Sequence, residues 1–176
     1  SCTRSNDCPI VGNSFQQTYV GGPEDGCIIK LDNSLQNIVW STYLGGELHD
    51  AAYSLSLDSN DDIYITGGTE SLLLPYTSTV LDTVYSGGRA DRFITDITAD
   101  GQKIINSTYF GSIEYDQSYV VELDNYTNVY VLGQSEVQDS TFIHNALFFN
   151  YGSGQFVSKI APELDSLIYS TVFGNG

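Results

Sequence analysis

Residues 38–46 read Ile-Val-Trp-Ser-Thr-Tyr-Leu-Gly-Gly. The same unit returns at 104–112 as Ile-Ile-Asn-Ser-Thr-Tyr-Phe-Gly-Ser and at 167–175 as Leu-Ile-Tyr-Ser-Thr-Val-Phe-Gly-Asn. The Ser-Thr pair begins at 41, 107 and 170, so the spacings are 66 and 63. A strand-and-turn unit recurring at that distance marks a repeat architecture.

Three further segments recur in register with it. Residues 51–58 (Ala-Ala-Tyr-Ser-Leu-Ser-Leu-Asp) are echoed by 117–124. Residues 62–69 (Asp-Ile-Tyr-Ile-Thr-Gly-Gly-Thr) are echoed by 128–135, with a shortened copy expected at Ile10–Ser14. Residues 25–32 (Asp-Gly-Cys-Ile-Ile-Lys-Leu-Asp) are echoed by 91–98 and 154–161. Each segment is rich in Ile, Val, Tyr and Thr, the composition of strands. Short links such as Ser59–Asp61 and Asp100-Gly101 carry turn residues and make neighbouring strands antiparallel.

Four strand types in a fixed order are the blades of a β-propeller, and a sandwich would not repeat them so. The fold class is therefore all-β, with blades of four antiparallel strands. The domain 1–176 divides into a first blade at 9–44 lacking its innermost strand, a second at 51–110 and a third at 117–173. That is about 2.7 blades, a partial propeller, because closing a ring of at least four would take on the order of 260 residues. The expected partner is the remainder of the propeller in the same longer chain, or other copies.

Charge narrows the function. There are 22 acidic residues against 6 Lys and Arg, a net charge of −16. Such a surface repels nucleic acid and anionic membranes. No apolar run is long enough to span a bilayer as a helix. Of three cysteines, Cys2 and Cys8 are the expected disulfide, suited to an oxidising compartment, with Cys27 a buried hydrophobe.

The segments Ser-Thr-Tyr-Leu-Gly-Gly-x-x-x-Asp-x-Ala (41–52), Leu-Asp-x-x-x-x-Ile-Tyr-Ile-Thr-Gly (57–67) and Tyr-Ser-Gly-Gly-x-x-Asp-x-Phe-Ile (85–94) resemble the bacterial β-propeller repeat called SBBP. The resemblance runs from residue 10 to 175. It departs where the third-strand Lys, kept as Lys30 and Lys159, becomes Asp96, and where the last copy ends Phe-Gly-Asn-Gly; both read as loop and rim changes. The resemblance implies a secreted or surface-exposed bacterial protein, often with adhesion-type modules. It implies no single activity and brings no catalytic residues, since fold does not fix function.

Antiparallel order places the long links at 70–90 and 136–153 on one face with the turns at 46–50 and 112–116. That face is expected to carry Glu47, His49, Asp50, Tyr76, Tyr85, Arg89, Glu114, Tyr115 and Asp116, aromatics mixed with acids as protein or glycan contact requires. The leading expectation is a non-catalytic binding or structural module. The second is an extracellular glycan-active enzyme using loop-face carboxylates such as Asp50 and Asp116. His49 and His144 fall in different copies, and no nucleophile elbow or phosphate loop is present. The third is a calcium-stabilised spacer. Asp58, Asn60 and Asp62 set oxygens two apart as calcium ligands do, although an ordinary hairpin turn is the favoured reading; no other cofactor is expected.

Overall fold

A computed structural model describes residues 2–137 and 140–174. The Asn175-Gly176 ending of the third copy lies outside them. Eleven strands make three sheets, and no helix occurs among the described residues.

The first sheet has the order β1 (Cys2–Thr3), β2 (Asp25–Leu31), β3 (Ile38–Leu44). The second is β4 (Asp50–Leu57), β5 (Ile63–Thr69), β6 (Asp91–Ile97), β7 (Ile104–Tyr109). The third is β8 (Asp116–Leu123), β9 (Val129–Ser135), β10 (Gln155–Ile160), β11 (Leu167–Phe173). Every strand pair is antiparallel. The irregularities also repeat. The first and second strands slip at Ala52/Ser54 and at Ser118/Val120, which bulges out Tyr53 and Tyr119. Those two rings then meet across neighbouring sheets, 5.6 Å apart. These are open, blade-like sheets of a partial propeller.

The turns follow from local chemistry. The Asp58 carboxylate accepts the N–H groups of Asn60 and Asp62 at 2.8 and 2.9 Å, and Asp124 does the same for Tyr126 and Asn128. Such side-chain bonds replace the ladder where the chain reverses. Asp61 and Thr127 take the left-handed dihedrals that the reversal needs.

The cores lie between sheets. Ile28, Trp40 and Leu44 pack on Ala52, Ile65, Phe93 and Ile97 of the second sheet. Tyr64 and Ile94 pack on Val121, Val129, Val131, Phe156 and Ile160 of the third. Polar bonds register the junctions. Lys30 Nζ and Trp40 Nε1 both donate to the carbonyl of Ala99, and Tyr64 Oη donates to that of Pro162.

Three expectations are corrected. Residues 10–14 form no strand; they run outside β3, where Val11 and Gln16 accept the N–H groups of Ser41 and Tyr43. The link before β2 therefore begins near Arg4, and the place beside β2 is taken by β1, through two rungs at Asp25 and Gly26. The disulfide joins Cys8 to Cys27, not Cys2 to Cys8. Cys2 stands opposite Gly26, so its side chain lies on the sheet face opposite to that of Cys27. The early link carries Cys8 to the Cys27 side, where the Cys8 N–H meets Tyr43 Oη at 3.1 Å. Finally, Asp96 is no rim change. It sits within β6 and is 3% exposed.

The Cys8–Cys27 bridge closes a separation of 19 residues. Cys8→Ser should cost about 2–4 kcal/mol of folding free energy. Cys2→Ser should leave the urea midpoint unchanged under oxidising conditions. Equal losses in both variants would contradict this pairing.

Candidate functional site

The loop face is built by the turns that lead into β4 and β8. Asp50 is buried, and its carboxylate accepts the N–H of Gly46 and the hydroxyls of Thr69 and Ser71. Asp116 is buried likewise and accepts the N–H and hydroxyl of Ser112. Both acids expected on the binding surface are thus spent inside the turns. Glu47 clamps the tip of the neighbouring link, accepting the N–H groups of Leu72 and Leu73 at 2.9 and 3.2 Å. That clamp presents two apolar side chains to solvent, Leu72 at 60% exposure and Leu73 at 72%.

Of the six remaining expected residues, His49, Arg89, Glu114 and Tyr115 fall into two groups. His49 Nδ1 lies 3.6 Å from Glu24, which also pairs with Arg4 at 3.1 Å. Arg89 stacks on the Tyr115 ring at 4.1 Å and stands 3.9 Å from Glu136. Glu114 is exposed beside that group. Tyr85 is drawn inward, edge-on to Tyr109, and donates to the Gly88 carbonyl. Tyr76 is exposed on the link. His144 lies on the rim beside β11, far in the chain from His49, with its backbone paired to Ser170.

The Asp58 and Asp62 carboxylates hold backbone N–H groups. Asp58 takes two of them and the Asn60 amide, and Asp62 accepts the Ala99 N–H at 2.8 Å. Among the described residues no group of three or more His, Cys, Asp or Glu converges as a metal site.

What sequence reasoning missed is buried at the junctions. Asp25 and Asp91 open β2 and β6, each inside a Gly-Gly-x-x-Asp stretch at 21–25 and 87–91. Both are fully buried with Oδ1 unbonded. A Cβ at Gly45 would stand 2.7 Å from Asp25 Oδ1 and 3.0 Å from Asp50 Oδ2, so only glycine fits between the two carboxyls. Burial, with Asp50 nearby, pushes Asp25 up to about 6. Burial, with Asp116 nearby, pushes Asp91 up to about 7. Arg92, next along β6, is fully buried and sandwiched by Phe110, Phe142 and Phe156 at 4.1, 3.9 and 3.7 Å. Burial lowers it to about 9, while Asp116 and Asp91 hold it up. Gly26 stands one repeat earlier, so the first junction carries no such cation.

Asp96 is a second unusual acid. At the matching place, Lys159 pairs with Asp124 at 3.0 Å and lies over the Tyr130 ring. Asp96 meets instead the negative charges of Asp62 and Asp58, and burial pushes it up to about 7.

The SBBP β-propeller repeat profile matches residues 39–73, from β3 through β4 and β5 to the Leu72-Leu73 tip. This stretch is an SBBP repeat. No curated protein matches the chain. The match takes in Glu47, His49 and Asp50, so the clamp and the buried turn acid both lie inside the SBBP unit. Asp91, Arg92 and the Arg89–Tyr115 stack lie beyond the matched residues.

Asp25, Asp91 and Asp96, raised to about 6 or 7, set a pH dependence, and burial raises Asp50 in the same direction. Their folded values lie above the unfolded value of about 3.9, so the folded chain holds protons that the unfolded chain releases. Their contribution is therefore full below about pH 4 and is lost as pH rises through 6 to 7. Asp32 and Asp124, held below the usual carboxylate range by turn bonds, act oppositely and only in acid. The melting temperature should fall from pH 5 to pH 8. Asp96→Asn, which removes no partner of a buried cation, should flatten that fall and stabilise at pH 8 by on the order of 1–3 kcal/mol. A melting temperature rising over that range would refute the assignment.

Proposed function

We propose that the chain is a non-catalytic binding or structural module of a secreted or surface-exposed bacterial protein, making protein or glycan contact through its loop face. The observation that carries the reading is the Glu47-clamped Leu72-Leu73 tip. Two adjacent leucines stand in solvent while the carboxylate beneath fixes their backbone. An exposed apolar tip whose backbone is held by the Glu47 carboxylate has the composition of a contact patch. The Cys8–Cys27 bridge and the net charge of −16 support an oxidising, extracellular setting. The sheets lack a closed ring, which supports completion by further blades of a longer chain or by other copies.

Binding should be measured on a glycan array and on intact bacterial cells, with wild type beside Leu72→Glu/Leu73→Glu. Loss of about tenfold in retained protein, with the melting temperature unchanged, is the expected result. Retention equal in both proteins would remove the tip as the contact. Turnover of a polysaccharide would replace this reading with a glycan-active one.

A further inference from the structure

The links before β2, β6 and β10 each run as a strap outside the last strand of their sheet. Thr42, Thr108 and Thr171 hydroxyls donate to the carbonyls of Gln16, Asp82 and Phe148 respectively, which sets the three straps in register. The residue just before is Phe15, Leu81 or Leu147. In the first two straps this residue hooks the next sheet. Phe15 N–H donates to the Gly101 carbonyl at 2.9 Å, and Leu81 N–H to the Leu164 carbonyl at 2.7 Å. Their side chains pack on the two interior clusters. Leu147, the third hook, is 102% exposed.

The acceptors are also in register. Gly101 and Leu164 occupy the left-handed position of the turn between the third and fourth strands, with φ 70° and 57°. One repeat earlier stands Leu35, with φ 57° and its N–H on the Asp32 carbonyl at 2.9 Å, the bond that Gly101 makes to Thr98 and Leu164 to Ala161. Leu35 is 76% exposed. One end of the array thus shows a hook without a turn, and the other a turn without a hook.

We propose that the end face of the third sheet docks a second copy of this chain head to tail, Leu147 hooking the Leu35 turn of that copy. This rests on the reading of the chain as a partial blade array and names its partner. The junction continues the interface already made twice within the chain. The faces to be covered agree. Leu132 on the outgoing side and Ile29 and Leu31 on the incoming side are exposed, while their counterparts Thr66, Thr95 and Ile97 are buried at interior junctions. A hook-to-turn contact is heterologous, so it propagates to a ring or a filament. Copies of charge −16 repel, so association strengthens as salt screens them.

The test is sedimentation velocity over a concentration series at raised ionic strength. Wild type, Leu147→Asp, Leu35→Asp and an equal mixture of the two variants are compared. Wild type should associate, and each variant alone should do so about tenfold more weakly. The mixture should recover a species of two chains and nothing larger, because it holds one intact hook and one intact turn per pair. Both side chains stand in solvent, so melting temperatures should match wild type. Wild type that stays monomeric, association indifferent to both substitutions, or a mixture that recovers nothing each overturns the proposal. Glycan or cell binding through the Leu72-Leu73 tip is read separately and does not depend on the result.

Discussion

A four-stranded sheet with two apolar faces cannot stand alone in water. Each face must find another sheet, and the layers between sheets hold this molecule together. Ile28, Trp40 and Leu44 against Phe93 and Ile97, then Tyr64 and Ile94 against Val131, Phe156 and Ile160, are those layers. Burying a side chain of this size contributes about 1.5–3 kcal/mol. The polar devices follow from that stacking. The Ala99 and Pro162 carbonyls are reached from the preceding sheet because the apolar layer sets the spacing. The Tyr53 and Tyr119 rings meet because the same bulge recurs on adjacent inner strands.

The two junctions share a scaffold and differ in charge. Both bury an acid at the start of the third strand and another at the start of the next sheet. Only the second junction adds Arg92, held among three phenylalanine rings and near Asp91 and Asp116. A buried arginine without hydrogen-bonded partners is costly, and ring faces together with nearby carboxylates are what offset it. The first junction has Gly26 there and leaves Asp25 and Asp50 without a cation in register.

The strand types and their order were legible because apolar alternation and turn residues recur at 66 and 63. The straps were not. Val11, Thr77 and His144 sit against Ser41, Ser107 and Ser170, often through hydroxyls in place of a full ladder, so they leave no alternating pattern. Ile10–Ser14 read as a strand because it is apolar and short, yet Gly12 at φ 81° breaks the extension. β1 is two residues long, below any periodic signal. Proximity in sequence favoured Cys2 as the partner of Cys8, whereas sheet register gave that partner to Cys27. On the loop face, the residue types were legible but their direction was not. Asp50 and Asp116 turn inward to hold backbone N–H groups, and Glu47 serves the leucines beside it. Asp25 and Asp91 carried a visible Gly-Gly-x-x-Asp signature that reads equally as the start of a strand.

The straps also decide how such an array can grow. An outer strand with bare N–H and C=O groups would recruit strands from any neighbouring chain. Here Val11–Gln16, Thr77–Asp82 and His144–Asn150 lie along β3, β7 and β11 and occupy part of each rim. Lateral β-addition, the route to amyloid-like stacking, is obstructed at all three outer edges. Addition remains open across the flat faces, where side chains rather than backbone select the partner. A protein assembled from repeats of nearly identical strands thereby closes its outer rims to lateral growth.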